Sequence, residues 1–253
     1  DLVMLTQERH NKILELLTKQ DTVTVGELSQ GLETSESTIR RDLVTLDKMG
    51  KVKKVHGGAA AIHMVSTVFE EDVTTKSALN VTEKEAIGRV AAGLVTNDDF
   101  VFIDAGTTTA AMIDFIYDNV RATFVTNGIV HAKKLIQKGL KAYIIGGQIK
   151  LTTEAVVGTE AINNLRKYNF TKTFIGTNGI SVKGGYSTPD VEEAAVKSEV
   201  LKRGRNNFIL GDHTKFDKEY AVTFGILKDA CIVTDELEDN EFREYAVVKE
   251  AFA

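Results

Sequence analysis

From Thr82 onward, short apolar runs alternate with helical segments, and no other feature constrains the chain as much. The runs fall at residues 100–104, 122–126, 142–145, 173–175, 207–210 and 231–234, and most are followed by small polar residues. Strands alternating with helices predict an α/β domain whose sheet is mostly parallel and covered on both faces. Ligands of such sheets sit beyond the carboxyl ends of the strands. At 253 residues, 43% hydrophobic and 26% charged, with one proline and no tryptophan, the chain can bury a sizeable core in one large domain or two unequal ones. No apolar run approaches about 18 residues, so no membrane-spanning helix is expected. The single cysteine, Cys231, cannot form an internal disulfide, and a Cys/His metal cluster is excluded. With no basic-then-apolar leader in view, a cytoplasmic location is expected, without metal or cofactor.

Residues 4–62 carry a different pattern. Thr6 can cap a helix to about Lys19 that sets His10, Ile13, Leu14 and Leu17 on one face. The alternation Thr22-Val23-Thr24-Val25 reads as a short extended piece, and Thr24 with Glu27 forms a capping box for a second helix to about Leu32. A third helix starts after Ser35, buries Ile39, Leu43 and Leu46, and ends at Gly50. Residues 51–56, the Gly57-Gly58 turn and residues 59–62 predict a two-stranded hairpin. Three helices and a hairpin make a winged helix-turn-helix. Residues 63–81 show no clear periodicity and read as a linker, which leaves 82–253 for the α/β domain.

The net charge of −5 conceals an asymmetry: residues 1–60 balance nine Lys/Arg against nine Asp/Glu, while residues 61–253 hold 22 against 27. Between Arg40 and Lys54 the local charge is +4. Such a patch suits phosphates. With Ile39, Leu43 and Leu46 turned inward, Ser37, Arg41, Val44 and Lys48 point outward and Thr38 and Arg40 flank them. Arg41 and Ser37 are the expected base readers, with Val44 within reach of a thymine methyl. Arg40, Lys53 and Lys54 are expected on the phosphate backbone, the two lysines from the wing. Any one lysine alone could belong to a solvated face; the combination points to DNA.

The run Ser35-Glu36-Ser37-Thr38-Ile39-Arg40-Arg41-Asp42-Leu43, preceded by Glu8-Arg9 and followed by Val55-His56-Gly57-Gly58-Ala59, resembles the DNA-binding head of the DeoR family of bacterial transcription regulators. The resemblance adds Ser35 and His56 to the DNA-binding set and extends to about Glu236.

In the larger part, five strand ends share one chemistry. They are Asp104-Ala105-Gly106-Thr107-Thr108-Thr109, Thr126-Asn127-Gly128, Gly146-Gly147, Gly176-Thr177-Asn178-Gly179 and Gly211-Asp212-His213-Thr214-Lys215. Glycine admits close backbone approach, and free amides at a helix start favour an anion, so Gly106 to Thr109 is the expected phosphate cradle. It is neither a Walker loop nor a dinucleotide fingerprint. Lys150, Lys197 and above all Lys215 are the candidate phosphate cations. Thr188-Pro189 is expected to open the helix that carries Lys197 and to bring Glu192 and Glu193 to the same rim. Asp104, Asn127, Asn178, Glu192 and Asp212 suit sugar hydroxyls.

The family resemblance implies a C-terminal sensor domain similar to ribose-5-phosphate isomerase and CoA transferases that binds a phosphorylated sugar. It matches here at Asp104 to Thr109, Thr126-Asn127, Gly146-Gly147, Thr188-Pro189-Asp190 with Glu192 and Lys197, and Asp212 with Lys215. Lys150 stands where many members have arginine. Within the family the resemblance is nearest to repressors of fructose-utilisation operons, which implies fructose 1-phosphate as effector. The expected protein is therefore a repressor, not an enzyme with catalytic residues. It binds double-stranded operator DNA as a homodimer or homotetramer, since one head is too small for high specificity. A retained isomerase activity is the rival reading, and the head argues against it.

Overall fold

The computed structural model describes residues 6–20, 22–55, 57–61, 73–237 and 240–252. The chain divides into two compact units, residues 1–64 and 65–253.

In the first unit the helices are α1 (Thr6–Lys19), α2 (Val25–Gly31) and α3 (Glu36–Lys48), and the strands are β1 (Thr22–Thr24), β2 (Lys53–Val55) and β3 (Gly58–Ala60). The Thr24 capping box is formed in full, with the Glu27 amide donating to the Thr24 hydroxyl and the Thr24 amide to the Glu27 carboxylate. Ser35 caps α3, and Gly50, at φ +68°, follows its end. Ile13, Leu17, Leu28, Ile39, Leu43 and Leu46 converge on one apolar core. The wing differs from expectation: β1 joins it, giving a three-stranded antiparallel sheet in the order β1-β3-β2. Gly58 permits this, because a Cβ there would lie 2.1 Å from the Val23 carbonyl oxygen. A third strand supplies partners for backbone groups that a lone hairpin would leave to water.

The second unit contains α4 (Val73–Ala78), α5 (Val81–Gly93), β4 (Phe100–Ile103), α6 (Thr107–Phe115), β5 (Thr123–Thr126), α7 (Ile129–Gln137) and β6 (Lys141–Ile144). It continues through β7 (Gln148–Lys150), β8 (Ala155–Val157), α8 (Thr159–Leu165), β9 (Phe170–Gly176), β10 (Gly179–Ser181) and β11 (Gly185–Thr188). Last come α9 (Val191–Arg203), β12 (Gly204–Leu210), β13 (Val222–Gly225), β14 (Cys231–Thr234) and β15 (Val248–Glu250). Helix α4 lies within the stretch read as a linker, and the Val73 amide donates to the Thr152 carbonyl of the same unit.

Seven parallel strands form the main sheet in the order β15-β14-β12-β9-β4-β5-β6. Successive strand residues feed opposite cores. Val101, Ile103, Phe124, Phe174, Leu210 and Val233 pack with Ile87 of α5, Met112 of α6 and Leu135 of α7. Phe102, Val125, Ile175, Ile209 and Ile232 pack with Leu165 of α8, Val200 of α9 and Tyr186. Burial on both faces is what a parallel sheet between helical layers requires. Strands β10, β11 and β13 form a small antiparallel sheet, and β7 and β8 a separate hairpin. Among the described residues, no helix is long and apolar enough to cross a membrane.

Candidate functional site

Two surfaces carry the chemistry, one in each unit. On α3, Ser37, Arg40, Arg41 and Lys48 are exposed and Thr38 and Val44 half-buried, while Ile39, Leu43 and Leu46 are sealed in the core. Lys53 and Lys54 are exposed on β2, and the Lys54 amide donates to the Asp47 carboxylate at 2.7 Å, fastening the wing strand to the end of α3. Arg40 forms an exposed ion pair with Glu36 one turn earlier at 2.7 Å. The Ser35 hydroxyl accepts from the Thr38 amide and lies 3.0 Å from the Ser37 hydroxyl, so its first role is that of a cap. His56, also expected at this surface, lies outside the described residues. Arg9 and Asp42, which entered the sequence reading only through the family resemblance, form a buried pair at 2.5 Å that His10 joins at 3.1 Å. Burial pushes the Asp42 carboxyl up, but hydrogen bonds from Arg9 and His10 outweigh it and hold the group below the usual carboxylate range.

In the second unit the small polar residues do gather at the carboxyl ends of β4, β5, β6, β9 and β12. Asp104 accepts from the Gly176 amide at 3.0 Å and is ion-paired with Lys197, which also donates to the Gly176 carbonyl at 2.9 Å. This pair ties the end of β4 to the end of β9. Gly106 and Thr107 are partly open at the start of α6, where the first helical amides lack partners within the helix. On the β12 loop, one Asp212 oxygen accepts from the Thr214 amide and hydroxyl. The other is buried and, among the described residues, without a short hydrogen bond; the half-buried Lys215 ammonium is 4.0 Å away, and the Asn80 side chain also acts on this carboxylate. Burial raises the Asp212 carboxyl, and the Lys215 charge with the Thr214 bonds overcomes this and brings it below its ordinary range.

Several expected ligand residues are spent inside the protein. Thr109 is fully buried and donates to the Asp104 carbonyl at 2.6 Å. The Asn127 amide oxygen accepts from the Ala105 amide at 2.8 Å, and the Thr126 hydroxyl accepts from the Gly128 amide at 3.0 Å. These three frame the loops. Asn178 is half-buried and accepts from the Thr188 hydroxyl at 3.0 Å. Lys150 lies 3.1 Å from both Asp190 and Glu193, and Glu193 also accepts from the Thr153 hydroxyl at 2.7 Å. The helix carrying Lys197 is capped by Asp190, whose carboxylate accepts from the Glu193 amide, and not by Thr188, which ends β11.

The expected residues are also too widely spaced for one small ligand. Loops after β12 and β6 are four strand spacings apart, roughly 19 Å at about 4.8 Å each, which is longer than a hexose phosphate. Gly106, Thr107 and Thr108 follow β4, Asn178 follows β9, and Asp212 and Lys215 follow β12, three adjacent strands of the sheet. Gly146, Gly147 and Glu192 instead line an open cavity of about 580 Å³ at the β6 end with Gln148, Glu160 and Asn164.

One residue that sequence reasoning passed over holds the Gly106–Thr109 loop from behind. His131 is buried, with its Nε2 atom 2.9 Å from the Gly106 carbonyl oxygen and 3.1 Å from the Thr109 hydroxyl. Burial holds this imidazole at a pKa of about 4, although the Asp104 charge and the Gly106 carbonyl pull the other way. Its trace in the sequence is Gly128, where a Cβ would come within 2.4 Å of the His131 ring.

Residues 9–65 match the DeoR-like helix-turn-helix domain, and residues 79–236 match the DeoR C terminal sensor domain. The chain belongs to the DeoR family. It is similar to a Bacillus subtilis (strain 168) protein named "Uncharacterized HTH-type transcriptional regulator FruR", 39% identical over 96% of each chain. The HTH-type transcriptional regulator IolR of the same strain is 31% identical over 94% of each. The lactose phosphotransferase system repressor of Staphylococcus aureus (strain N315) is 33% identical over 92% of this chain and 93% of its own. Among solved structures, ribose 5-phosphate isomerase A from Methanocaldococcus jannaschii aligns with a TM-score of 0.42 at 12% identity, over 54% of this chain and 55% of that one. This DeoR-family protein is a transcription regulator, not an enzyme.

Proposed function

We propose that this regulator represses a sugar-catabolism operon by binding operator DNA through α3 and the wing, and that a phosphorylated sugar at the strand ends of the sensor relieves the repression. One observation carries the sensor reading: Lys150 and Lys197 are closed into short ion pairs, whereas Lys215 holds only a long one, 4.0 Å from Asp212, two strands along the sheet from the open start of α6. An ammonium and the free amides of a helix start suit a phosphate dianion. The buried Asp212 carboxylate beside Lys215 suits a sugar hydroxyl. Fructose 1-phosphate is the effector favoured by the resemblance to fructose-operon repressors.

Arg41 and Ser37 read bases, and Arg40, Lys48, Lys53 and Lys54 meet phosphates. The working unit is a homodimer or homotetramer on repeated half-sites, acting in the cytoplasm. The test is a calorimetric titration of the full chain with fructose 1-phosphate and with fructose. Binding of the phosphate ester alone supports the site, because fructose leaves Lys215 and the α6 amides without their anion; equal binding of both sugars contradicts it.

A further inference from the structure

Asp42 sits in the middle of the recognition helix, yet it faces neither solvent nor DNA. Its two carboxylate oxygens are held separately: Arg9 Nε donates to one at 2.5 Å, and Arg9 Nη2 donates to the other at 3.0 Å, with His10 Nε2 3.1 Å from that same oxygen. All three side chains are buried, and both partners come from α1. We propose that Asp42 is a positioning residue for DNA recognition: the Arg9–His10 clamp fixes the roll of α3 about its own axis and so aims Ser37, Arg41 and Val44 together. The inference rests on the reading of α3 as the helix that meets base edges.

The apolar contacts of α3 do not fix its roll by themselves. Ile39, Leu43 and Leu46 gain from burial, which is non-directional and changes little when a helix turns slightly in its groove. A two-pronged hydrogen bond from a planar guanidinium is directional and breaks under the same turn. A roll of about 20° moves a side-chain end lying about 6 Å from the helix axis by roughly 2 Å. Binding constellations must hold to about 0.5 Å, so that roll is enough to break a bidentate contact between Arg41 and a base. Phosphate contacts from the long, exposed Lys48, Lys53 and Lys54 would survive it. A buried ion pair adds little net stability over apolar residues of equal size, so orientation is the larger part of what this clamp contributes.

The test compares the full chain with Asp42→Asn, which keeps the shape of the side chain and removes its charge, and with Arg9→Lys, which keeps charge and removes the fork. Operator is first selected from random DNA with the unaltered protein. Below the melting temperature of each variant, Asp42→Asn is expected to weaken operator binding ten-fold or more while random-DNA affinity and its salt slope stay within about two-fold. Arg9→Lys should fall between. Should Asp42→Asn not fold, Arg9→Lys and His10→Gln decide by the same ratio. A lowered melting temperature with an unchanged operator-to-random ratio overturns the proposal, because a clamp that only stabilised the head would do that. Arg41→Ala serves as control. If it collapses the ratio and the clamp variants do not, the clamp proposal alone fails; if it too leaves the ratio intact, the reading of α3 fails.

Discussion

At the scale of single residues, where a cation stands decides what it contributes. Arg41 and Lys54 are both exposed cations, but Arg41 stands on the outward stripe of α3 and Lys54 on the wing. Arg41→Ala should cost roughly 1–3 kcal/mol of operator binding and relax base preference at one position. Lys54→Ala should weaken operator and random DNA alike and flatten the salt dependence. Competition gel shifts at two salt concentrations separate these outcomes, and equal losses on both DNAs for Arg41→Ala would remove it as a base reader. In the sensor, His131 is buried as the neutral ring with a pKa of about 4, against 6.5 for the free residue. The unfolded chain therefore takes up this proton first. The stability His131 allows is whole above pH 6.5 and is lost as pH falls toward 4, by at most about 3 kcal/mol. Urea unfolding at pH 7.5, 6.5 and 5.5 should show that loss in the native protein and a smaller one in His131→Gln; parallel slopes would contradict it. Outward-facing Arg41 was legible because helical periodicity alone sets its direction. His131 and Asp42 were not, because their partners lie 25 and 33 residues away.

Local signals at the scale of elements were read correctly where the partners are close in sequence. The Thr24–Glu27 capping box and the Ser35 cap needed only a four-residue window. Strand β1 was legible as an extended piece but not as the third strand of the wing, since its partner β3 follows more than 30 residues later. Gly58 records that pairing. Gly58→Ala should force β1 and β3 apart at the Val23 carbonyl, cost about 1–3 kcal/mol of head stability, and weaken DNA binding by displacing Lys53 and Lys54. Thermal melting and random-DNA affinity check both parts; a variant unchanged in both would mean that the wing tolerates two strands. The start of α9 shows the reverse case. Thr188 and Asp190 both suit a cap, and the choice fell to Asp190 because Thr188 pairs with Val222 in the small sheet. Asp190→Ala should cost about 1 kcal/mol of sensor stability, measurable by urea unfolding.

The architecture of the whole molecule followed from the alternation of strands and helices. All six apolar runs are strands of the main sheet, in parallel; five of them pack into the cores between the helical layers, as a parallel sheet requires, and the edge run at β6 is largely exposed. Strand β15 escaped notice because Val248–Glu250 is short and charged, and β10, β11 and β13 because Gly179–Ser181, Gly185–Thr188 and Val222–Gly225 carry no continuous apolar run. The site was legible as a rim of strand ends but not in its extent, since sequence does not give the strand order that separates Lys215 from Gly146. In the proposed repressor, a sugar phosphate can shift DNA affinity only by binding two states of the protein unequally, and the effect must then run both ways. Lys215→Ala should therefore keep operator binding and lose its response to fructose 1-phosphate.

The most direct test of this coupling is a calorimetric titration of fructose 1-phosphate into the full chain, alone and with saturating operator DNA. The predicted result is an affinity lowered by operator by the same factor by which the sugar phosphate lowers operator affinity, on the order of 5 to 150. An identical affinity with and without DNA would contradict it.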